Sequence, residues 1–122
     1  MNILAESENY VVMHEYERVI LKDKRTAKTV IIGDFYGDPE VAVISRDEKY
    51  CVMGGCGVIM YYFTEPFEDY QYNVQSAQWK EWGRENPESI AWVTNISCVD
   101  DEQIEIETED MKRIIFDVFR KN

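Results

Sequence analysis

The sequence predicts an α+β domain, predominantly an antiparallel β meander with one short central helix and a C-terminal helix. In the first half of the chain, short runs rich in Val, Ile and Tyr alternate with turn-forming residues, as in antiparallel strands joined by tight connections. After Phe63, two segments carry apolar residues at helical spacing instead. With 122 residues, 45% of them hydrophobic, the chain fits one domain spanning 1–122.

The predicted strands are short apolar runs bounded by Gly, Pro, Asp or charged residues. The first run is one long or bent strand, or two short ones. In the segment 104–107, Ile and Glu alternate strictly, which predicts a strand with Glu105 and Glu107 on its solvent face. The segment 64–73 mixes aromatic and acidic residues and is predicted to be a loop. The other predicted strands, beginning with that first run, are 9–21, 29–35, 41–45, 50–53, 58–63 and 89–98.

The central helix is predicted over 74–84, where Val74 and Ala77 share one face and Gly83 and Pro87 end the segment. On that reading Trp79 points away from the core. An exposed tryptophan is typical of a protein contact site. If positions 75, 79 and 82 form the buried face instead, both tryptophans belong to the core.

The C-terminal segment allows two interpretations. A helix over 109–121 is favoured, with Thr108 as its cap and an apolar face formed by Met111, Ile114, Ile115, Val118 and Phe119. However, Ile114, Phe116 and Val118 also alternate. A strand paired with 103–107 therefore remains the alternative.

The charge balance limits the choice of partner. The chain has 24 acidic and 13 basic residues, for a net charge of −11. Nucleic acids and anionic membranes would be repelled, whereas a basic protein would be attracted. The segment 1–10 lacks the basic start of a signal peptide, and no apolar run is long enough to cross a bilayer. An odd number of cysteines is typical of reduced thiols, so we expect a cytoplasmic protein.

No motif predicts an enzyme, a metal site or a cofactor. His14 is the only histidine and lies in a predicted strand, while Cys51, Cys56 and Cys98 lack the paired spacing of a zinc site. The glycines of the MGGCG segment (53–57) join two strands and not a strand and a helix, so they do not form a phosphate loop. A pair of catalytic carboxylates stays open as an alternative, because its geometry is purely spatial.

The segment 61–72 is the predicted binding feature, because it interleaves six aromatic residues with three acids. Tyrosines offer large, stiff contact areas, and neighbouring carboxylates would pair with Lys or Arg of a partner. Alternatively, this loop packs onto the core, and the acids of 100–110 are simply solvated. The predicted partner-binding residues are Glu65, Phe67, Glu68, Asp69, Tyr70, Tyr72, Trp79, Glu105 and Glu107.

In its size, acidity, β-rich build and lack of catalytic motifs, the chain resembles the immunity proteins of bacterial contact-dependent growth inhibition and related polymorphic toxin systems. The segments GDFYGDP (33–39) and CVMGGCG (51–57) carry no signature of that group, so no binding residue transfers. The resemblance implies a basic toxin domain as partner, often a nuclease, blocked by occlusion of its active site or by binding beside it. The alternative is a small ligand-binding or regulatory β-domain that forms a homo-oligomer; the sequence leaves the oligomeric state open.

Overall fold

The structure, a computed structural model, describes residues 1–84 and 90–119. This part of the chain is all-β and contains no helix, so the predicted α+β class is wrong. Its strands are β1 (Asn2–Glu6), β2 (Tyr10–Glu15), β3 (Arg18–Asp23), β4 (Thr29–Asp34), β5 (Val41–Ile44), β6 (Tyr50–Gly55), β7 (Gly57–Tyr62), β8 (Trp79–Trp82), β9 (Val93–Cys98), β10 (Gln103–Thr108) and β11 (Arg113–Asp117).

Consecutive strands pair into three antiparallel meanders, as the predicted antiparallel pattern requires. We call them sheet 1 (β1 to β4), sheet 2 (β5 to β8) and sheet 3 (β9 to β11). The predicted run 9–21 is two strands, which meet in a turn at Tyr16 and Glu17. β1 lies where no strand is predicted, and it pairs along the edge of β2, with Ile3 opposite Met13.

Sheet 2 is the middle layer and is buried on both faces. Cys51, Met53 and Ile59 contact a core shared with sheet 1. The alternate residues Val52 and Val58 contact a second core shared with sheet 3. Double-sided burial explains why β6 and β7 are almost continuously apolar, whereas strands with one wet face alternate. At Gly54 the packing of sheets 2 and 3 is so close that a Cβ atom would lie 2.6 Å from Cγ1 of Val93.

The predicted helix over 74–84 is wrong, because Trp79–Trp82 forms strand β8 on the edge of β7. Trp79 takes the buried alternative: it contacts the core between sheets 1 and 2, and Trp82 packs against the other core. Pairing with β8 satisfies the backbone N–H and C=O groups along the edge of β7, which a helix would leave without strand partners. Of the residues predicted to end the helix, Pro87 lies outside the described residues.

The C-terminal segment is also a strand, so the favoured helix over 109–121 is wrong and the strand alternative is correct. β11 pairs with β10, with Ile114 opposite Ile106 and Phe116 opposite Ile104. The apolar residues of this segment also fall three and four apart, which is why the sequence favours a helix. The strand forms instead because the open edge of β10 offers hydrogen-bond partners to its backbone. Positions 120 and 121 of the predicted helix, and position 89 of the predicted strand 89–98, lie outside the described residues.

The connections lie at two opposite ends of the stack. Those that follow β2, β4, β6 and β10, together with the described residues 83, 84 and 90–92 that follow β8, lie at one end, which we call the tyrosine end. Those that follow β1, β3, β5, β7 and β9 lie at the other, which we call the opposite end. Contacts between sheets fix this arrangement: the amide of Gly57 donates to the carbonyl of Ala91, and that of Glu109 to the carbonyl of Trp92. Among the described residues, no helix has the length and apolarity needed to cross a bilayer.

Candidate functional site

The predicted binding loop lies at the opposite end and is largely fastened to the core. The amide of Tyr70 donates to the carbonyl of Ile31 at 2.7 Å, and the amide of Ile31 donates to the carboxylate of Asp69 at 3.0 Å. The loop thereby covers the edge of β4. The Tyr70 ring is buried, and Phe67 packs against the same core. The Tyr70 ring is therefore withdrawn from solvent, whereas Phe67 is half-buried.

Further hydrogen bonds fix the two ends of this loop. The Gln78 side chain donates to the carbonyls of Tyr62 and Thr64 at 2.7 and 2.8 Å. Trp79, which stacks on Tyr61, donates its indole N–H to the carbonyl of Val74 at 3.0 Å. Trp79 is therefore a core residue. The predicted residues of this loop that remain exposed are Glu65, Glu68, Asp69 and Tyr72.

The predicted acidic stripe on β10 faces outward but carries a counter-charge. Glu105 and Glu107 lie on the outer face of sheet 3, as their alternation predicts, and their side chains are about one third exposed. Arg113 of β11 lies 4.0 Å from the carboxylate of Glu105 and 3.7 Å from that of Glu107. The shared arginine reduces the negative field of this stripe. A partner-binding role of the predicted residues stays a prediction.

The tyrosine end holds a feature that was not predicted. Tyr16, in the β2–β3 turn, is 79% exposed, and Tyr36, in the β4–β5 loop, is 76% exposed. The acidic residues Glu17, Asp38 and Glu40 flank them and are also exposed. We define the tyrosine surface as these five residues. It combines the large aromatic contact areas and carboxylates that the sequence predicts for the loop at the other end.

The two tyrosine-bearing segments are joined through Glu17. The amide of Phe35 donates to the Glu17 carbonyl at 2.9 Å, and the amide of Gly37 donates to the Glu17 carboxylate at 2.5 Å. Gly37 has a φ of +81°, which glycine adopts at little cost. These bonds hold the turn and the loop as one unit, so both tyrosines sit on an ordered base.

Tyr16 itself adopts a left-handed backbone conformation, with φ at +53°. A bulky residue is strained there, and strain of this kind persists only where the surroundings impose it. His14 is one such support, because its buried ring bonds the Tyr16 carbonyl through Nδ1 at 3.0 Å. A carbonyl only accepts, so Nδ1 carries the proton. The single histidine thus fixes the turn that exposes Tyr16.

Arg84 anchors the tyrosine end from beneath. Its guanidinium donates to the carbonyl of Asp34 at 2.7 Å and to that of Cys56 at 3.3 Å. It also lies 4.7 Å from the ring centre of Phe35, and its Nε lies 3.2 Å from the carboxylate of Glu81. The side chain is only 9% exposed. One buried cation therefore connects the β4–β5 loop of sheet 1 with the β6–β7 turn of sheet 2.

Ion pairs occur at both ends of the stack. At the opposite end, Lys24 lies 2.6 Å from Glu6 and Arg46 lies 3.1 Å from Asp101, and in the β10–β11 turn Lys112 lies 3.5 Å from Asp110. At the tyrosine end, Glu17, Asp38 and Glu40 form no ion pair with any described residue. The three acids of the tyrosine surface are therefore exposed to solvent and outside these ion pairs, and Arg18, which follows Glu17 in the chain, is an exposed cation next to them.

The described part of the chain also contains two thiols with a raised pKa and a cleft between β8 and β11. Burial raises the pKa of Cys51, and burial together with Asp101 raises that of Cys98, so both disfavour the thiolate. The cleft has a volume of 1230 Å³ and is lined by aromatic side chains such as Trp82 and Phe116 together with polar and charged ones. Its residue Glu81 is engaged by Tyr70 and Arg84. Among the described residues no three His, Cys, Asp or Glu side chains lie together as metal ligands would.

In comparisons with known proteins, no protein-family model matches the chain, and no curated protein matches it either.

Proposed function

We propose that this protein is an acidic, protein-binding inhibitor that captures a basic protein partner through the tyrosine surface. The observation that carries the proposal is the pair of projecting tyrosines, Tyr16 and Tyr36, on an ordered base among carboxylates that form no ion pair with the described residues. The expected partner is a basic toxin domain, possibly a nuclease, as in the immunity proteins that the chain resembles. Such a protein would act in the cytoplasm.

The two kinds of side chain have separate tasks in this proposal. The unpaired carboxylates and the net charge of −11 raise the rate of encounter with a cation-rich surface, and this effect weakens as salt screens the charges. The tyrosines then supply the buried contact area that slows dissociation. Aromatic anchors of this kind are worth about 2 kcal/mol or more each when truncated. Preordering of the turn and the loop lowers the entropy lost on binding.

Charge reversal at each end tests the location of the surface. The test variant carries Asp38→Lys and Glu40→Lys, which leave the hydrogen bonds of Glu17 intact. The matched control carries Glu65→Lys and Glu68→Lys, the same change of charge at the opposite end, and leaves the Asp69 bond to Ile31 intact. Each is immobilised and exposed to a lysate of the source cells at low and at high salt, and the captured protein is then assayed with the wild type added.

The proposal expects the wild type and the control to capture the same basic protein at low salt and to inhibit its activity. It expects the test variant to lose that capture while melting at the wild-type temperature. Equal capture by the test variant, or loss of capture by the control alone, would remove the tyrosine surface from the proposal. Capture of the basic protein without inhibition of its activity would show that the chain is a binding module and would refute its proposed function as an inhibitor.

A further inference from the structure

The outer faces of sheets 1 and 3 differ in chemistry. On sheet 3 the outer face is polar, since Glu105 lies opposite Ser97 and Glu107 lies opposite Asn95 and Arg113. Ile115 is its exposed apolar exception. On sheet 1, by contrast, an apolar row crosses all four strands. The row is formed by neighbours in register, namely Ile3, Met13, Ile20 and Ile31.

Three members of this apolar row lie outside both cores. Ile3 is 61% exposed, and Met13 and Ile20 are half-buried and belong to neither core, whereas Ile31 is half-buried and packs against the core between sheets 1 and 2. Val11, which also faces outward, extends the apolar area towards Lys22, its partner on β3. Contiguous apolar surface with a polar border is typical of a protein interface.

Charged residues border the row on the side of the tyrosine end. Glu15 on β2 lies opposite Arg18 on β3, and Arg18 lies opposite Asp34 on β4. β2 and β3 are the two central strands of the sheet, so Glu15 and Arg18 are placed symmetrically about the midline between them. Met13 and Ile20 are placed about the same midline, as are Ile3 and Ile31 on the outer strands.

We propose that a second copy of this chain packs on the outer face of sheet 1, related by a two-fold axis that runs along the strands between β2 and β3. This operation lays β2 over the partner's β3 and β1 over the partner's β4. Met13 then meets the partner's Ile20, and Glu15 meets the partner's Arg18. Each contact occurs twice, which is the self-complementarity that a two-fold interface requires.

The charge pattern favours a second copy over a foreign protein as the occupant. Glu15 and Arg18 are cross-strand neighbours that form no ion pair with any described residue, and the two-fold axis exchanges their positions, so a copy brings a second opposite charge to each. The apolar row likewise meets an identical row. Packing of two twisted sheets at a small angle accommodates such a pair of faces. The axis keeps both tyrosine ends on the same side of the dimer. The two tyrosine surfaces can then bind two sites of one partner assembly at once.

The dimer and the capture of a basic partner have opposite dependences on salt. Each copy carries a net charge of −11, so two copies repel at long range, and salt screens that repulsion. The dimer should therefore strengthen as the salt concentration rises, whereas binding of a basic protein weakens. The oligomeric state is measured on the purified chain alone. Its outcome is thus independent of the proposed inhibitor.

Sedimentation equilibrium over a range of protein concentrations tests this inference. The wild type should dimerise reversibly, and Ile20→Lys should be monomeric while keeping its melting temperature. Ile115→Lys is the matched control, because it places the same charge on the outer face of sheet 3, and it should dimerise like the wild type. A monomeric wild type at every concentration and salt would overturn the proposal, as would dissociation by Ile115→Lys and not by Ile20→Lys.

A charge exchange tests the axis itself. Glu15→Arg alone places two arginines face to face across the dimer, and Arg18→Glu alone places two glutamates face to face. Each variant should dimerise at least tenfold more weakly than the wild type. Mixing the two should restore the opposite charges and give a heterodimer, detected with one fluorescently labelled copy. Failure of the mixture to associate beyond either variant alone would contradict this axis.

Discussion

The guanidinium of Arg84 donates a hydrogen bond of 2.7 Å to the main-chain carbonyl of Asp34, and so connects sheet 2 to the loop that carries Tyr36. The same group bonds the carbonyl of Cys56 and pairs with the Glu81 carboxylate. Little of this side chain reaches water. Water and salt therefore screen the interactions of Arg84 less than those of a surface ion pair, and removing them costs more stability.

Substitution of Arg84 should destabilise the protein. Arg84→Met keeps much of the apolar stem and removes every donor, which should lower the free energy of unfolding by about 3 kcal/mol. Arg84→Lys keeps the charge without the planar fork and should lose about half as much. Urea denaturation measures both. A methionine variant as stable as the wild type would show that Arg84 does not hold the two sheets together.

Gly57 should tolerate no side chain, because its φ is +82° and a Cβ atom would lie 2.0 Å from Cγ of Arg84. We expect Gly57→Ala to lower the unfolding free energy by about 2 kcal/mol or more, from backbone strain and the displaced arginine together. Gly37→Ala is the control: its φ is similar at +81°, but no atom lies near its Cβ position. It should lose only about 1 kcal/mol. Equal losses in urea denaturation would contradict the close packing at Gly57.

Glu48 should make stability depend on pH in the acid range. Burial by itself would raise the pKa of its carboxyl, but hydrogen bonds from Ser7 and Asn9 outweigh burial and lower that pKa. The folded state therefore favours the carboxylate. Its contribution is complete above the pKa of the unfolded chain, about 4.3, and is lost as the pH falls through the lower folded value.

Glu48→Gln is the variant that measures this effect. Because the site is partly exposed, it should be about 1 kcal/mol less stable than the wild type at neutral pH, and the difference should shrink as the solution is acidified. Thermal melts over a pH series give the comparison. A difference that does not change with pH would assign the loss to altered packing and not to the charge.

Tyr50 and Tyr61 are a matched pair of buried tyrosines. The hydroxyl of Tyr61 donates to the carbonyl of Glu68 at 2.6 Å, whereas that of Tyr50 has no partner among the described residues. Burial also raises the pKa of Tyr50 to about 12. Tyr61→Phe should cost about 1 kcal/mol, and Tyr50→Phe should be neutral or slightly stabilising, since it removes an unpaired polar group. The reverse order in urea denaturation would mean that Tyr50 has an acceptor in solution.

The strands could be predicted because their signals are local. Runs such as 29–35 and 58–63 are β-branched or aromatic and end at turn residues, so pattern and structure agree. The two predicted helices failed because the deciding interactions are distant in sequence. Ile114 and Phe116 match both periods, and only the open edge of β10 selects the strand. β1 has no local signal beyond three apolar residues and depends on the edge of β2.

The partner-binding role of the predicted residues remains a prediction, but the structure shows why composition alone did not suggest the tyrosine surface. The high proportion of aromatic and acidic residues in the segment 64–73 does not distinguish rings that pack inward, such as Tyr70, from rings that project into solvent. Tyr16 lies between two glutamates and Tyr36 follows the core residue Phe35, so neither lies in a segment that is rich in exposed aromatic residues. A signal was nevertheless present: Tyr36 lies within the turn segment YGDP, where a large ring has little opportunity to reach the core.

A photo-crosslinking amino acid in place of single tyrosines tests the central claim most directly. We would replace Tyr36 at the tyrosine end and, as the control, Tyr72, which is 69% exposed at the opposite end. Each variant is irradiated in a lysate of the source cells, and the adducts are identified by mass spectrometry. The account predicts a salt-sensitive adduct with one basic protein at position 36 and none with that protein at position 72. Crosslinking of the basic protein at position 72 alone would contradict it.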